Sequence, residues 1–267
     1  MTPGGAWPPL ASFGQLLRYR TLVKNLVLKD LKLKYRSSVL GVAWSLLNPL
    51  LTLLVYTFAF HTVLRVQMPG YAAFLMVSLL PWNFFSGSLN GSTSSVVANA
   101  HLIRKVYFPR ETLPVATVLF GFAQLLLALV VLLPATLALS GLAPRWTIVL
   151  SLPLLALHVT FTIGLALALS ALSAFFRDIM HLTEVLLLLL FWLTPVVYPV
   201  SMAPLRLQPF LKVNPLAAFA IAYQDLLFWG RVPEPLVLGA VVASPPLALL
   251  AGLLIFRRLS PGLAERV

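Results

Sequence analysis

The sequence predicts an all-α, polytopic membrane protein with six transmembrane helices. Three observations predict it. The 267 residues are 60% hydrophobic and only 10% charged, against about 25% charged in an ordinary soluble domain, and the mean hydropathy is +0.95. Six stretches of 21 to 38 residues contain no Asp, Glu, Lys or Arg, and a helix crosses a hydrocarbon core of roughly 30 Å with about 20 apolar residues. The basic residues then fall on alternate sides of these stretches with a strong bias.

Residues 1–36 read as a cytoplasmic N-terminal region. Met1 to Gln15 holds no basic stretch followed by an apolar one, so no cleavable signal is expected. Residues 13–36 carry seven basic side chains and one acid, Asp30, while Phe13, Leu16, Leu17, Leu22, Val23, Leu26 and Val27 recur at roughly helical spacing. That pattern predicts an interfacial amphipathic helix with a basic face toward anionic lipid. It serves as a positive-inside anchor or also shapes a docking surface for a cytoplasmic partner.

The transmembrane domain, 37–258, divides into spans near 39–62, 71–97, 113–139, 147–173, 184–202 and 236–256. The second span starts apolar and turns small and polar from Ser86 to Ser95, with Gly87 and Gly91 spaced for close helix packing. Its hydroxyls serve that packing or line a wet passage. Val213 to Trp229 is apolar but contains Asn214-Pro215 and Asp225, and an acid at a helix centre costs about 2.5–3.5 kcal/mol on insertion scales. Residues 205–234 are therefore expected to form a re-entrant or interfacial hairpin on the non-cytoplasmic side. With 259–267 as a cytoplasmic tail, 14 of the 19 Lys and Arg lie inside and five outside, which satisfies the positive-inside rule. Both termini are then cytoplasmic.

Composition and motifs exclude several functions. The net charge of +12 sits between apolar runs, so its acidic partner is a membrane's headgroup layer and not nucleic acid. With no cysteine, there is no disulfide, thiolate metal site or Cys nucleophile. His61, His101, His158 and His181 lack metal-ligand spacing, and only His158 falls deep in a span. No Gly-x-x-x-x-Gly-Lys-[Ser/Thr] phosphate loop occurs. The span cores carry no acid, whereas ion-coupled carriers place one near the midplane. The loop 98–112 combines a basic pair, an aromatic pair and Pro109. It is a turn anchored in the headgroups or a knob for a soluble motor.

Four groups of motifs resemble one family. Lys34-Tyr35-Arg36-Ser37-Ser38-Val39-Leu40-Gly41-Val42-Ala43-Trp44 running into Asn48-Pro49-Leu50 is similar to the start of span one in type-2 ABC exporter permeases of the polysaccharide and polyol-phosphate group. Arg104-Lys105-Val106-Tyr107-Phe108-Pro109-Arg110-Glu111 resembles that group's loop after span two. Phe176-Arg177-Asp178-Ile179 with Thr194-Pro195-Val196-Val197-Tyr198 resembles its fourth loop and fifth span, and Asn214-Pro215-Leu216 the element between spans five and six. Ser37-Ser38 and Thr194-Pro195 depart from the group's pattern, which offers a bulkier polar residue and Ser-Pro.

The resemblance implies export of a lipid-linked polysaccharide of O-antigen, capsule or teichoic-acid type across the bacterial cytoplasmic membrane. It implies a homodimer of this subunit with two copies of a separate ATP-binding subunit, which would hold the ATP and Mg. The chain itself would carry no cofactor, metal or catalytic residue. Trp44, Tyr56, Phe58, Phe85 and Tyr198 are expected to offer ring faces to sugars in a channel at the dimer interface. Arg104, Lys105, Tyr107, Phe108, Arg110 and Glu111 are expected to couple the chain to its ATPase. Short gate helices on the outer side and a lateral opening between spans one and five complete the implied picture. Export of a small hydrophobic compound, or a membrane-bound glycosyl or acyl transferase, are the alternative readings.

Overall fold

In the computed structural model, residues 19–263 are described, apart from 37–39, 67, 106–107, 140 and 142–144. Among the described residues the regular structure is helical throughout. Helix α1 is Arg20–Tyr35 and α2 is Trp44–Thr57, entered by a 3-10 turn at Gly41–Ala43 and left by a π-turn at Phe58–Val63. Next come α3 (Tyr71–Ala98), the short α4 (Ala100–Lys105) and α5 (Thr112–Leu139). A 3-10 turn at Trp146–Leu150 leads into α6 (Ser151–Phe175), and α7 is Asp178–Leu193. Beyond it lie α8 (Gln208–Val213), α9 (Pro215–Tyr223) with a π-turn at Gln224–Trp229, and α10 (Pro235–Leu259).

Local chemistry sets these boundaries. Gly70 takes a left-handed conformation, φ 71°, just before α3, where a residue with a Cβ would be strained. Asn214 caps α9 by accepting from the Leu216 amide at 3.1 Å, and Pro215 and Pro235 occupy first-turn positions where no donor is needed.

Among the described residues, five helical stretches are long and apolar enough to cross a membrane: Trp44–Val63, Tyr71–Ala98, Thr112–Leu139, Trp146–Phe175 and Pro235–Gly262. The protein is thus an all-α, multi-pass membrane protein. The span expected at 184–202 is helical over Asp178–Leu193, about 24 Å at 1.5 Å per residue, so its helix ends before the expected bound. Pro195 is the reason: it disfavours a helical conformation in the residue before it, and Thr194 sits at ψ 137°.

Helix α3 is the hub. Most of its side chains are buried, from Tyr71 to Val96, against α2, α5, α6 and α7. Helices α6 and α10 pack together over most of their length, closest where Gly252 lies against the Gly164 carbonyl and Gly164 against the Ala248 backbone. The expected small-residue site on α3 is also a crossing: a Cβ on Gly91 would press on Thr117 of α5 at 2.9 Å.

The helix expected at the interface packs against the helical body. Val23 and Leu26 of α1 are buried in a cluster with Val96, Phe108, Leu113, Phe256 and Leu263, and α1 packs along α5. Lys29 donates to Asn99 Oδ1 at 3.1 Å, and Lys34 donates to Gln124 in the middle of α5.

Candidate functional site

A cleft of about 480 Å³ opens between the end of α1, α2, α3 and α5. Ser45, Asn48 and Thr52 face it from α2, Asn83, Ser86 and Asn90 from α3, and Thr117 and Gln124 from α5. Lys34 lies at its edge, over the Phe120 ring at 5.7 Å. Pro49, Leu80, Leu125 and Ala128 form its apolar part. Ser88 Oγ and Asn90 Oδ1 are buried there with no hydrogen-bond partner. Each of Asn48, Asn83 and Gln124 is a polar residue inside an apolar run, the signal that sequence reasoning passed over. What it could not supply is that three helices turn these residues toward one space.

The five ring candidates do not converge. Trp44 lines the cleft and is 46% exposed. Phe58, on the π-turn, is 62% exposed. Tyr56 stacks on Phe191 of α7, centroids 5.8 Å apart, which joins α2 to α7. Tyr198 is half-buried, and its hydroxyl donates to the Trp192 carbonyl at 3.3 Å. Phe85 is only 2% exposed, stacked on His158 and Phe161 at 5.9 and 6.0 Å and tilted against Trp82. It is enclosed by these rings, so in this conformation it packs the core. His158 also packs: its ring stacks on Phe219 at 4.6 Å, with the Tyr223 hydroxyl 3.4 Å from Nδ1.

The candidate coupling residues separate by position. Lys105 is exposed at the end of α4. Phe108 is 8% exposed, within the cluster shared by α1, α5 and α10. It is thus the root of the loop and not its contact face. Arg110 donates to the Ser260 carbonyl, tying the loop to the turn after α10, and Glu111 is half-buried. Tyr107 and the Arg104 side chain lie outside the described residues.

At the opposite end, α9 and its π-turn are buried from Ala217 to Phe228. Arg231 Nε donates to Asp225 Oδ1 at 2.7 Å, Lys212 pairs with Glu234 at 2.6 Å, and the Thr147 hydroxyl donates to the Leu226 carbonyl at 2.6 Å. Burial pushes the Asp225 carboxyl above the ordinary carboxylate range, and the Arg231 guanidinium pulls it back. A carboxyl raised on folding contributes most stability at acid pH and loses it as pH rises through the folded value. Arg231→Gln removes the opposing pull, so its loss of thermal stability should widen as pH rises from the ordinary carboxylate value, about 4, toward neutrality. Melting curves of the purified variant and wild type across that range check the sign; a constant deficit contradicts it.

Comparison with known proteins places this architecture. A family model described as ABC-2 type transporter matches residues 21–228. The chain is 35% identical over 255 residues to the O-antigen export system permease protein RfbA of Klebsiella pneumoniae, covering 95% of this chain and 96% of that one. It is equally identical, 35% over 255 residues, to the RfbA protein of Myxococcus xanthus, covering 95% and 98%. Identity to the polysialic acid transport protein KpsM of Escherichia coli is 24% over 247 residues, covering 89% and 93%. With the match running from α1 through the π-turn after α9, the chain belongs to the ABC-2 type transporter membrane family.

Proposed function

We infer that this chain is the membrane subunit of an ATP-driven exporter that moves a lipid-linked polysaccharide, of O-antigen or capsule type, out across the bacterial cytoplasmic membrane. One observation carries the reading: end-to-end similarity to permeases named for O-antigen export, at 35% identity. The chain has no phosphate-binding loop of its own, so its work arrives by contact with two copies of a separate ATP-binding subunit that hold ATP and Mg. A homodimer with both termini cytoplasmic presents α1 and the loop 101–111 to that partner.

Mechanically, Lys105, Arg110 and Glu111, with Arg104 and Tyr107, form the partner's contact, and Phe108 passes its displacement to α1, α5 and α10. Trp44, Tyr56, Phe58 and Tyr198 border the glycan path. Rings suit that role because flat apolar faces hold a sugar without fixing one orientation. Each aromatic contact contributes about 0.5–1.5 kcal/mol beyond area burial, so Leu at both Trp44 and Phe58 should slow export roughly ten-fold. Surface glycan measured after induction of the variant in a deletion background checks this; an unchanged rate removes both rings from the path.

The partner is tested by purifying the tagged chain from its own organism. Recovery of a stoichiometric ATP-binding protein, with hydrolysis that stops when the chain is removed, supports the reading. A chain that purifies alone from gently solubilised membranes contradicts it.

A further inference from the structure

We propose that the cleft between α1, α2, α3 and α5 is a subsite for neutral sugar units of the glycan in passage. The inference rests on the export reading above. It adds to the rings a second kind of contact, made by amides and hydroxyls within one chain.

Depth is the first observation. Asn83 is the thirteenth of 28 residues in α3, and Gln124 the thirteenth of 28 in α5. Each is thus about 20 Å from either end of its helix at 1.5 Å per residue, inside a hydrocarbon core of roughly 30 Å. Asn83 and Asn48 are exposed, and both line the cleft. Polar side chains at this depth are costly against lipid and face protein or a water-filled space. Two exposed amides turned into one open cleft therefore mark it as a polar space within the membrane.

The polar groups also run along its length. Helices α2 and α5 run one way and α3 the other, which sets Ser45 and Thr117 toward the α4 end, Asn48 and Ser86 beyond them, and Asn83 and Gln124 deepest in the membrane. Such a row suits a chain that advances by exchanging one partner for the next.

Chemistry then selects the ligand. Among the described residues no Asp or Glu lines the cleft, and Lys34 at its edge is engaged by Gln124 and lies over the Phe120 ring. Neutral groups define the site. Amides and hydroxyls supply donors and acceptors together, and each sugar hydroxyl answers both. Pro49, Leu80 and Leu125 give apolar surface for the C–H faces of a sugar ring, and Trp44, 46% exposed, brings its indole to the border. The volume of about 480 Å³ falls within the ~300–1,000 Å³ of ordinary ligand sites.

The test traps the glycan in place. A photo-reactive benzoylphenylalanine is introduced at Ser86 inside the cleft, at Phe58 among the rings, or at Val130, 73% exposed on α5 and outside the cleft. Cells assembling their own glycan are irradiated during export, and the purified chain is probed for attached carbohydrate by mass shift. Ser86 should carry glycan and Val130 should not. Glycan at Phe58 with none at Ser86 overturns the subsite and leaves the export reading standing. Glycan at neither position overturns it too, and surface glycan in the deletion strain then decides the export reading. Equal labelling at Val130, or a cross-link from Ser86 to a second copy of the chain in place of glycan, also overturns the subsite. Asn83→Leu is independent and serves where the cross-linker variant does not insert. It removes an exposed amide from mid-membrane, so the protein should melt no lower than wild type. Its surface glycan should nevertheless appear about ten-fold more slowly, and Asn83→Gln, which keeps the amide, should restore most of the rate. Normal export by Asn83→Leu, or no recovery in a folded Asn83→Gln, would contradict the assignment.

Discussion

Valine at Gly252 is expected to abolish the folded protein. The α6–α10 pair depends on a backbone approach in which a Cβ on Gly252 overlaps the Gly164 carbonyl, and one on Gly164 overlaps the Ala248 peptide. Small residues let membrane helices approach this closely, and packing carries the association because lipid supplies no hydrophobic drive between helices. Overpacking in a core costs about 1–3 kcal/mol where side chains can shift; here the obstacle is backbone, and the helices must separate. Gly239, on the same helix, has nothing within 4 Å of an added Cβ, so Gly239→Ala is the control and should be harmless. Size-exclusion profiles of the detergent-solubilised variants check the pair. A monodisperse Gly252→Val protein with the wild-type melting temperature would show that the crossing is looser than drawn.

Alanine at Phe108, with Tyr107 also replaced, should uncouple the exporter while leaving it inserted. Truncating a buried Phe costs about 3–5 kcal/mol in a well-packed core, and Phe108 lies where the loop, α1, α5 and α10 meet. Every basic residue is kept, so the positive-inside signal and the orientation survive. The expected phenotype is normal abundance in the membrane with surface glycan reduced at least about ten-fold, from loss of a contact of roughly 2 kcal/mol. Phe108→Leu, which refills most of the volume, should restore much of it. If the double variant exports at the normal rate, force enters through α1.

The apolar runs made the fold class and most helix positions legible, because a hydrocarbon solvent leaves a chain little choice but helix. Thr112–Leu139 and Pro235–Leu259 lie within a few residues of the expected spans. Hydropathy was a poorer guide at α7, where it runs on through Val196 and Val197 while Pro195 ends the helix at Leu193. The hidden parts of the site are those made by distant residues. Gly164 and Gly252 are 88 positions apart, and nothing in either span marks the partner. Phe108 reads as a surface aromatic in a basic loop until α1 and the turn after α10 close over it. Phe85 was indistinguishable in sequence from Phe58, yet one is enclosed by His158 and Phe161 and the other projects from a π-turn. Gln124 is an amide in an apolar span, and only the path of α1 along α5 gives it a partner.

The central claim is that this subunit carries a polysaccharide outward on a lipid, and the direct measurement is where that glycan lies when the subunit is absent. In the organism's own background, with the gene deleted, surface and internal glycan are quantified separately by extraction of intact and lysed cells. The polymer should be lost from the surface and accumulate inside, still attached to lipid, with both restored by the wild-type gene. Surface glycan at the wild-type level in the deletion strain would contradict it.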